Sequence, residues 1–289
     1  MTMNNRLMGR VCLVTGATAG IGAVTARELA RMGATVVGVG RNPDKCATVG
    51  ERVKSETGNP QVEFLSADLS SQAQVRRLAE AFKQKYDRLE VLVNNAGAYY
   101  LTRQDCVDGI ELTFALNHLG YFLLTNLLLD LIKASAPARI VNVSSNAHQS
   151  ARMDFASLKG GGFYNSWAAY SQSKLANLLF TYELARRLEG TGVTVNALHP
   201  GFVASSFAHN NGWLVAWGTK VAQKLAGRTP EDGARTVIYL ATSPEVEGIS
   251  GKYFIDEKVV DSSPVSYDET SAKRLWVVSE QMTGLRTVV

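Results

Sequence analysis

Short apolar runs alternate with helix-length amphipathic segments along most of this chain, and that alternation limits its fold more than any other feature. Six runs rich in β-branched residues lie at 11–15, 34–40, 62–68, 89–95, 138–145 and 193–201. Strands that alternate with helices form right-handed βαβ units, and strands that are apolar throughout have both faces covered. The sequence therefore predicts an α/β fold, a single doubly wound parallel sheet with helices on both faces.

Composition narrows the class of protein further. The 289 residues contain no linker or repeat, so we expect a single domain over 1–289, and the net charge of +4 is too scattered for a nucleic-acid surface. Cys12, Cys46 and Cys106 are too widely spaced for a metal site, which predicts no metal and free thiols in a reducing cytoplasm. No signal-peptide core is present, and polar residues interrupt the apolar stretch at 121–132. That stretch predicts a buried helix rather than a transmembrane segment.

Two long irregular segments, 146–166 and 202–227, interrupt the alternation after the fifth and sixth strands. The first contains three consecutive glycines, and the second contains Trp213 and Trp217. Long segments of this kind are usually binding loops, and ligands bind at the carboxyl edge of open α/β sheets. We therefore expect the second segment to cover a substrate, with Trp213 in contact with it.

The turn between the first strand and the first helix has the composition of a phosphate-binding loop. It reads TGATAGIG over 15–22, and its glycines permit close approach of a pyrophosphate to the following helix N-terminus. A plain βα turn is the alternative. In this position the loop predicts a Rossmann-type nucleotide site, formed by Gly16, Thr18, Ala19, Gly20, Ile21 and Gly22.

The second strand is followed by Arg41, with Lys45 one turn further on. Proteins that bind a dinucleotide without a 2′-phosphate usually have a carboxylate here, which bonds to the ribose. A guanidinium instead binds a phosphate with a fork of donors, and a carboxylate would repel it. The sequence therefore predicts NADP(H) over NAD(H), with a solvated strand-end arginine as the alternative.

A tyrosine and a lysine lie four residues apart in the stretch AYSQSKLAN, at 169–177. Side chains with this spacing are neighbours on a helix, so the ammonium of Lys174 is expected to lower the pKa of the Tyr170 phenol, which is about 10 when free. An interfacial tyrosine beside a surface lysine is the structural alternative.

Seven motifs follow one another along nearly the whole chain: TGATAGIG, ADL at 67–69, NNAG at 94–97, Asn117, VNVSS at 141–145, YSQSK at 170–174 and HPG at 199–201. In this order they resemble the motifs of the short-chain dehydrogenase/reductase family. Longer phrases, such as LNHLGYFLLTNLLL and RIVNVSSNAH, are similar to the retinol dehydrogenase-like reductases. The resemblance implies a cofactor half at about 1–145, and a catalytic helix and substrate loop at about 146–289.

The resemblance also implies roles for four residues. Tyr170 would be the general acid in carbonyl reduction and would contact the substrate, and Lys174 would bind the cofactor's ribose. Ser145 would donate a hydrogen bond to the substrate oxygen, with Ser144 as the competing candidate. Asn117 would bend its helix and hold a water that links the lysine to solvent, and a structural helix cap is its alternative.

Further residues are implied around the cofactor, from the adenine to the nicotinamide. They are Asp68, Leu69, Asn95, Ala96, Gly97, Pro200, Gly201, Val203 and Ser205, together with Tyr170 and Lys174. Ser205 stands where the family often has threonine, so a hydroxyl is kept. No Ser/His/Asp arrangement surrounds His148 or His199, and we expect structural roles for both.

The resulting hypothesis is a cytoplasmic NADP(H)-dependent carbonyl reductase that interconverts a hydrophobic aldehyde or ketone and its alcohol. One alternative is a light-dependent enzyme of the protochlorophyllide reductase type. A second is a non-catalytic NADP(H)-binding module that senses redox state. Peripheral membrane contact stays open, as does a homodimer formed through the helices around 116–132 and 175–188.

Overall fold

The computed structural model describes residues 6–159, 164–201 and 228–285 of the chain. Its strands form one sheet in the order β3-β2-β1-β4-β5-β6-β7-β8, which is parallel apart from the β7–β8 pair. The strands are β1 Val11–Thr15, β2 Thr35–Gly40, β3 Val62–Ser66, β4 Val91–Asn94, β5 Ala138–Val143, β6 Val193–His199, β7 Tyr253–Ile255 and β8 Lys258–Val259. The strand order reverses direction between β1 and β4, which is where open α/β sheets bind ligands.

Helices cover both faces of the sheet. They are α1 Gly20–Arg31, α2 Pro43–Thr57, α3 Gln72–Lys85, α4 Leu112–Ala134, α5 Ser166–Arg187, α6 Pro230–Thr242 and α7 Glu269–Thr283. Alternate strand residues enter opposite cores: Leu13 packs with the α3, α4 and α5 side chains, whereas Cys12 and Val14 pack with those of α1, α2 and α6. The predicted doubly wound α/β fold is confirmed.

Two parts of the fold differ from the sequence prediction. The sequence predicts one long helical region over about 105–134. The helix α4 begins only at Leu112, because 105–111 form a turn with a positive φ at Gly109 and a bridge from Asp105 to Glu111. The Glu111 carboxylate then accepts the N–H groups of Thr113 and Phe114 and caps the helix. The strands β7 and β8 and the helix α7 were not predicted, since β7 and β8 have only three and two residues.

The apolar helix α4 is a core helix. Among the described residues it is long and apolar enough to cross a membrane, but 72% of its most apolar window is buried inside the protein. On α7, Trp276 packs against Phe122 of α4 and Phe180 of α5, at ring-centroid distances of 5.0 and 5.9 Å. Part of the surface offered above for subunit pairing is therefore covered by α7, and the homodimer stays a prediction.

Candidate active site

The loop from β1 to α1 lies at the carboxyl edge of the sheet. Gly16 and Gly20 have positive φ angles of 65° and 53°, and a Cβ on Gly22 would overlap the carbonyl oxygen of Gly16. No side chain caps the N-terminus of α1 at Ala19, and no acidic residue lies in its first turn. With Thr18 and Ile21 in the same loop, the free N–H groups and the positive end of the helix dipole suit a phosphate.

Thr15 joins this loop to the end of β4. Its hydroxyl accepts the N–H groups of Asn95 and Ala96 at 2.8 and 3.0 Å, and the Asn95 side-chain amide donates to the Thr15 carbonyl at 2.8 Å. The phosphate-binding loop and the segment after β4 are thus held against each other by three hydrogen bonds.

Arg41 follows β2, and its side chain lies close enough to Tyr100 to act on that phenol's pKa. Burial raises the pKa of Tyr100, and the Arg41 charge opposes that rise. Lys45 lies in the first turn of α2, with its N–H bonded to the Asn42 side chain at 2.9 Å, and both Arg41 and Lys45 are exposed. The structure thus places two exposed cations just after the carboxyl end of β2.

Asp68 and Leu69 follow β3. The Asp68 carboxylate accepts the N–H and the hydroxyl of Ser70 at 3.0 and 2.7 Å, so part of its capacity is used within the chain. Leu69 is buried, and its carbonyl lies where a Cβ on Gly120 would meet it at 2.7 Å. The missing side chain of Gly120 therefore lets α4 approach this segment closely.

Tyr170 and Lys174 are neighbours on α5, as their spacing predicts. The lysine Nζ lies 5.7 Å from the centroid of the tyrosine ring and donates to the Val143 carbonyl at 3.1 Å. Only 7% of Tyr170 and 3% of Lys174 is exposed. Burial lowers the pKa of Lys174 to about 7, because a buried ammonium loses its hydration.

The protein groups alone shift the phenol's pKa upwards. The predicted lowering by Lys174 together with the positive nicotinamide ring of the oxidised cofactor stays a prediction. Burial raises the pKa of Tyr170, and the interaction with Ser145 opposes this rise. The physical reason is that desolvation acts on both partners. It disfavours the phenolate, and it also disfavours the lysine charge that was expected to stabilise it.

The two serines after β5 have different partners. The Ser144 hydroxyl is buried and donates to the backbone carbonyl of Lys174 at 2.8 Å, which joins β5 to α5. The Ser145 hydroxyl accepts the Ala147 N–H at 3.2 Å, and its interaction with Tyr170 favours the ionised phenol and so opposes the rise in that phenol's pKa. The geometry therefore places Ser145, and not Ser144, beside the phenol.

Asn117 lies in a π-helical turn, Ala115–Leu119, within α4. Its side chain exchanges two hydrogen bonds with the backbone of Ala98, at 2.9 and 3.0 Å, and donates to Ser173 at 3.0 Å. A Cβ on Gly97 would lie 3.2 Å from Asn117 Oδ1 and 3.5 Å from Lys174 Nζ. The helix is thus locally distorted at Asn117, whereas the bend and the water relay stay predictions.

The predicted nicotinamide end of the site follows β6. His199 and Gly201 lie at the end of β6, where Gly201 has φ 85° and Arg228 occupies the space that its Cβ would need. Burial, with Arg228 and His148 adding to it, lowers the pKa of His199 to about 4. Pro200 lies between the two. The predicted contacts Val203, Ser205 and Trp213, like Trp217, fall outside the described residues.

Two aromatic residues near Tyr170 were missed by the sequence analysis. Tyr99 packs edge-on against the Tyr170 ring at 5.7 Å and bonds to the Ser166 hydroxyl at 2.9 Å. Trp167 lies 6.2 Å from the same ring and is 54% exposed. The position of Trp167, three residues before Tyr170 on one helix, was an available signal. No comparable signal identified Tyr99.

Tyr170 lines neither of two sizeable cavities among the described residues. One of about 980 Å³ opens at the amino edge of the sheet, next to Arg10, Ala138 and Val193. Another of about 430 Å³ lies beside the amino end of α5, next to Ala168 and Gln172. The arrangement of titratable groups, rather than cavity volume, marks the carboxyl edge as the reactive site.

Comparisons with known proteins agree with this geometry. The family model described as short chain dehydrogenase matches residues 10–212. The chain is 44% identical to human polyprenol dehydrogenase, covering 96% of this chain and 86% of that protein. It is 43% identical to human retinol dehydrogenase 11, covering 98% and 89%.

Solved structures give the same result. An uncharacterized protein from Mycobacterium paratuberculosis matches with a TM-score of 0.77 and 36% identity, over 96% of this chain and 94% of that one. The Pseudomonas aeruginosa RhlG/NADP active-site complex matches with a TM-score of 0.70 and 31% identity, over 88% and 97%.

Proposed function

This chain belongs to the short-chain dehydrogenase family, and from that premise we propose that Tyr170, Lys174, Ser145 and Asn117 form its catalytic site. The chain is an NADP(H)-dependent oxidoreductase that interconverts an alcohol and its carbonyl compound. The observation that carries the site assignment is the interaction of Ser145 with the buried Tyr170, beside a buried lysine whose pKa is lowered to about 7. The comparisons do not favour the light-dependent alternative or the binding module.

The described residues fit a dinucleotide with a 2′-phosphate. The glycine turn and the uncapped start of α1 leave N–H groups for the pyrophosphate. Arg41 and Lys45 are exposed at the place where the 2′-phosphate would lie, and Asp68 and Leu69 would flank the adenine. When bound, NADPH supplies the hydride.

In reduction, Tyr170 donates its phenolic proton to the carbonyl oxygen as the C–O bond gains electrons. Ser145 donates a hydrogen bond to the same oxygen and stabilises the charge that develops there. Lys174 would hold the cofactor's ribose, and its pKa of about 7 suits the exchange of a proton beside the phenol near neutral pH. Asn117, close to the lysine, would hold the water that returns a proton from solvent.

A hydrophobic substrate is supported by the aromatic surface at the site. Tyr99 and the half-exposed Trp167 lie beside Tyr170 and can pack against an apolar chain or a conjugated system. The two human relatives are named for retinol and polyprenol, both extended apolar alcohols.

The same proposal includes three further points. The working direction is reduction, the location is cytoplasmic, and the cofactor half of the chain ends near residue 145. Buried, unpaired Cys12 and Cys46 are consistent with a reducing compartment.

The test is transfer of label from NADPH deuterated at C4 to the product. Purified protein is incubated in the dark with retinal, a polyprenal or a short aldehyde, and the alcohol is analysed by mass spectrometry. The proposal predicts deuterium at the carbinol carbon, with NADPH preferred to NADH and the longer aldehydes preferred to the short one. Tight NADPH binding without label transfer would contradict it and favour the binding module, and turnover only under illumination would favour the light-dependent enzyme.

A further inference from the structure

The segment after β5, which contains Ser145, is tied to distant parts of the chain. The Tyr253 hydroxyl of β7 donates to the Asn146 side chain at 3.0 Å. The Ser263 N–H, which lies 115 positions from its partner in sequence, donates to Nε2 of His148 at 3.1 Å. The sequence analysis assigned no role to the segment 253–263, from which both contacts come.

His148 makes one hydrogen bond with each ring nitrogen. Its Nδ1 lies 2.6 Å from the backbone carbonyl of Ser145, which can only accept, so Nδ1 carries the hydrogen. Its Nε2 accepts the Ser263 N–H and must therefore be unprotonated. The ring is fully buried and lies edge-on to Tyr253 at 5.1 Å. One neutral tautomer alone satisfies both contacts.

The Ser145 carbonyl needs such a partner because little else fixes it. Ser145 has extended backbone angles, φ −164° and ψ 155°, and precedes the short 3₁₀ turn Asn146–Ser150. Within that turn the same carbonyl accepts only the His148 N–H, at 3.2 Å. The His148 side chain adds a shorter bond and connects the turn to the chain at Ser263, next to the 3₁₀ turn Pro264–Tyr267.

We propose that His148 is a positioning residue that aims the Ser145 hydroxyl at Tyr170 and the substrate oxygen. It acts through the Ser145 backbone and touches neither substrate nor cofactor. The inference rests on the proposed function, because that function makes the Ser145 hydroxyl a catalytic group. Displacement of a catalytic group by about 1 Å can cost up to about 10²-fold in rate, so a single buried ring has a measurable effect.

Three variants separate the two ring nitrogens. His148→Ala is expected to lower kcat about tenfold or more while leaving KM for NADPH within about threefold, because no cofactor contact is lost. His148→Asn keeps a donor near the Nδ1 position and is expected to retain most of kcat. His148→Gln keeps an acceptor near Nε2 but not the bond to Ser145, and is expected to behave like His148→Ala.

The matched control is Asn59→Ala, which removes two buried hydrogen bonds of 2.9 Å to the Ala30 and Ala34 carbonyls at the amino edge of the sheet. It should lower stability without lowering kcat. In a Ser145→Ala background, His148→Ala is expected to change kcat by less than about twofold, because residues that act together are not additive. The proposal would be overturned if the effects of His148→Ala and Ser145→Ala on kcat were fully additive. Equal kcat values for the His148→Asn and His148→Gln variants would also overturn it.

Amide hydrogen exchange gives a readout that does not depend on turnover. His148→Ala should accelerate exchange at 145–148 and at Ser263, whereas Asn59→Ala should not. Wild-type protein that lacks activity would defeat the proposed function, and the exchange pattern would still decide whether His148 holds the turn. Unchanged exchange at these amides in His148→Ala would overturn the inference by itself.

Discussion

Replacing the buried lysine should stabilise the protein while removing its activity. Burial lowers the pKa of Lys174 from 10.5 to about 7, and each tenfold loss of proton affinity corresponds to about 1.4 kcal/mol. Keeping this residue folded therefore costs about 4 kcal/mol at pH 7. Lys174→Met keeps a similar volume but loses the hydrogen bond to Val143, worth about 1 kcal/mol. The variant should gain about 3 kcal/mol in free energy of unfolding at pH 7.

The sign of the pH dependence follows from proton binding. Between pH 7 and 10.5 the unfolded chain binds a proton at Lys174 that the folded chain does not, so wild-type stability rises with pH relative to the variant. The excess of the variant's free energy of unfolding over that of wild type should fall by about 3 kcal/mol between pH 6 and pH 9.

Urea unfolding followed by circular dichroism, without nucleotide, measures this difference at each pH. Lys133→Met, an exposed site on α4, is the control and should change the free energy of unfolding by less than about 0.5 kcal/mol at every pH. A Lys174→Met variant that is less stable than wild type, or whose advantage does not depend on pH, would refute the reasoning.

Two further predictions concern the cofactor. Arg41→Asp should raise KM for NADPH by at least about tenfold and lower KM for NADH, because a carboxylate repels the 2′-phosphate and binds the free ribose; steady-state kinetics with both cofactors measure it, and an unchanged preference would place the phosphate elsewhere. Gly22→Ala should abolish NADPH binding or destabilise the fold, because its Cβ overlaps the Gly16 carbonyl; fluorescence titration and thermal unfolding check it, and near wild-type binding and stability would show that the turn can relax.

Elements bounded by strong local signals were predicted well from the sequence. The bounds of β1 agree with the prediction because Gly16 ends the strand. The sequence TPEDGA at 229–234 predicts a helix capped by Thr229, and α6 begins there. There, the Thr229 and Asp232 side chains each bond to the other's backbone. By contrast, β7 is too short for periodicity to identify, and it forms only because β6 offers an edge with which to pair.

Site chemistry was predictable where it depends on local spacing and not where it depends on burial or distant contacts. The i, i+4 spacing places Lys174 near Tyr170, but the direction of the phenol's pKa depends on desolvation by the surrounding fold. The His148 ring pairs with Ser263, far along the chain, and no pattern near His148 indicates that contact. The sequence predicts a structural role for His148, but not that its ring bonds to the Ser145 carbonyl.

The central claim is that Tyr170 supplies the proton when the carbonyl receives its hydride. Single-turnover oxidation of NADPH by a hydrophobic aldehyde, in wild type and in Tyr170→Phe, tests it most directly, with NADPH affinity measured in parallel. We predict that Tyr170→Phe binds NADPH within about threefold of wild type and that its rate of hydride transfer falls by about 10²–10⁴-fold. A variant that transfers hydride at the wild-type rate would contradict the account.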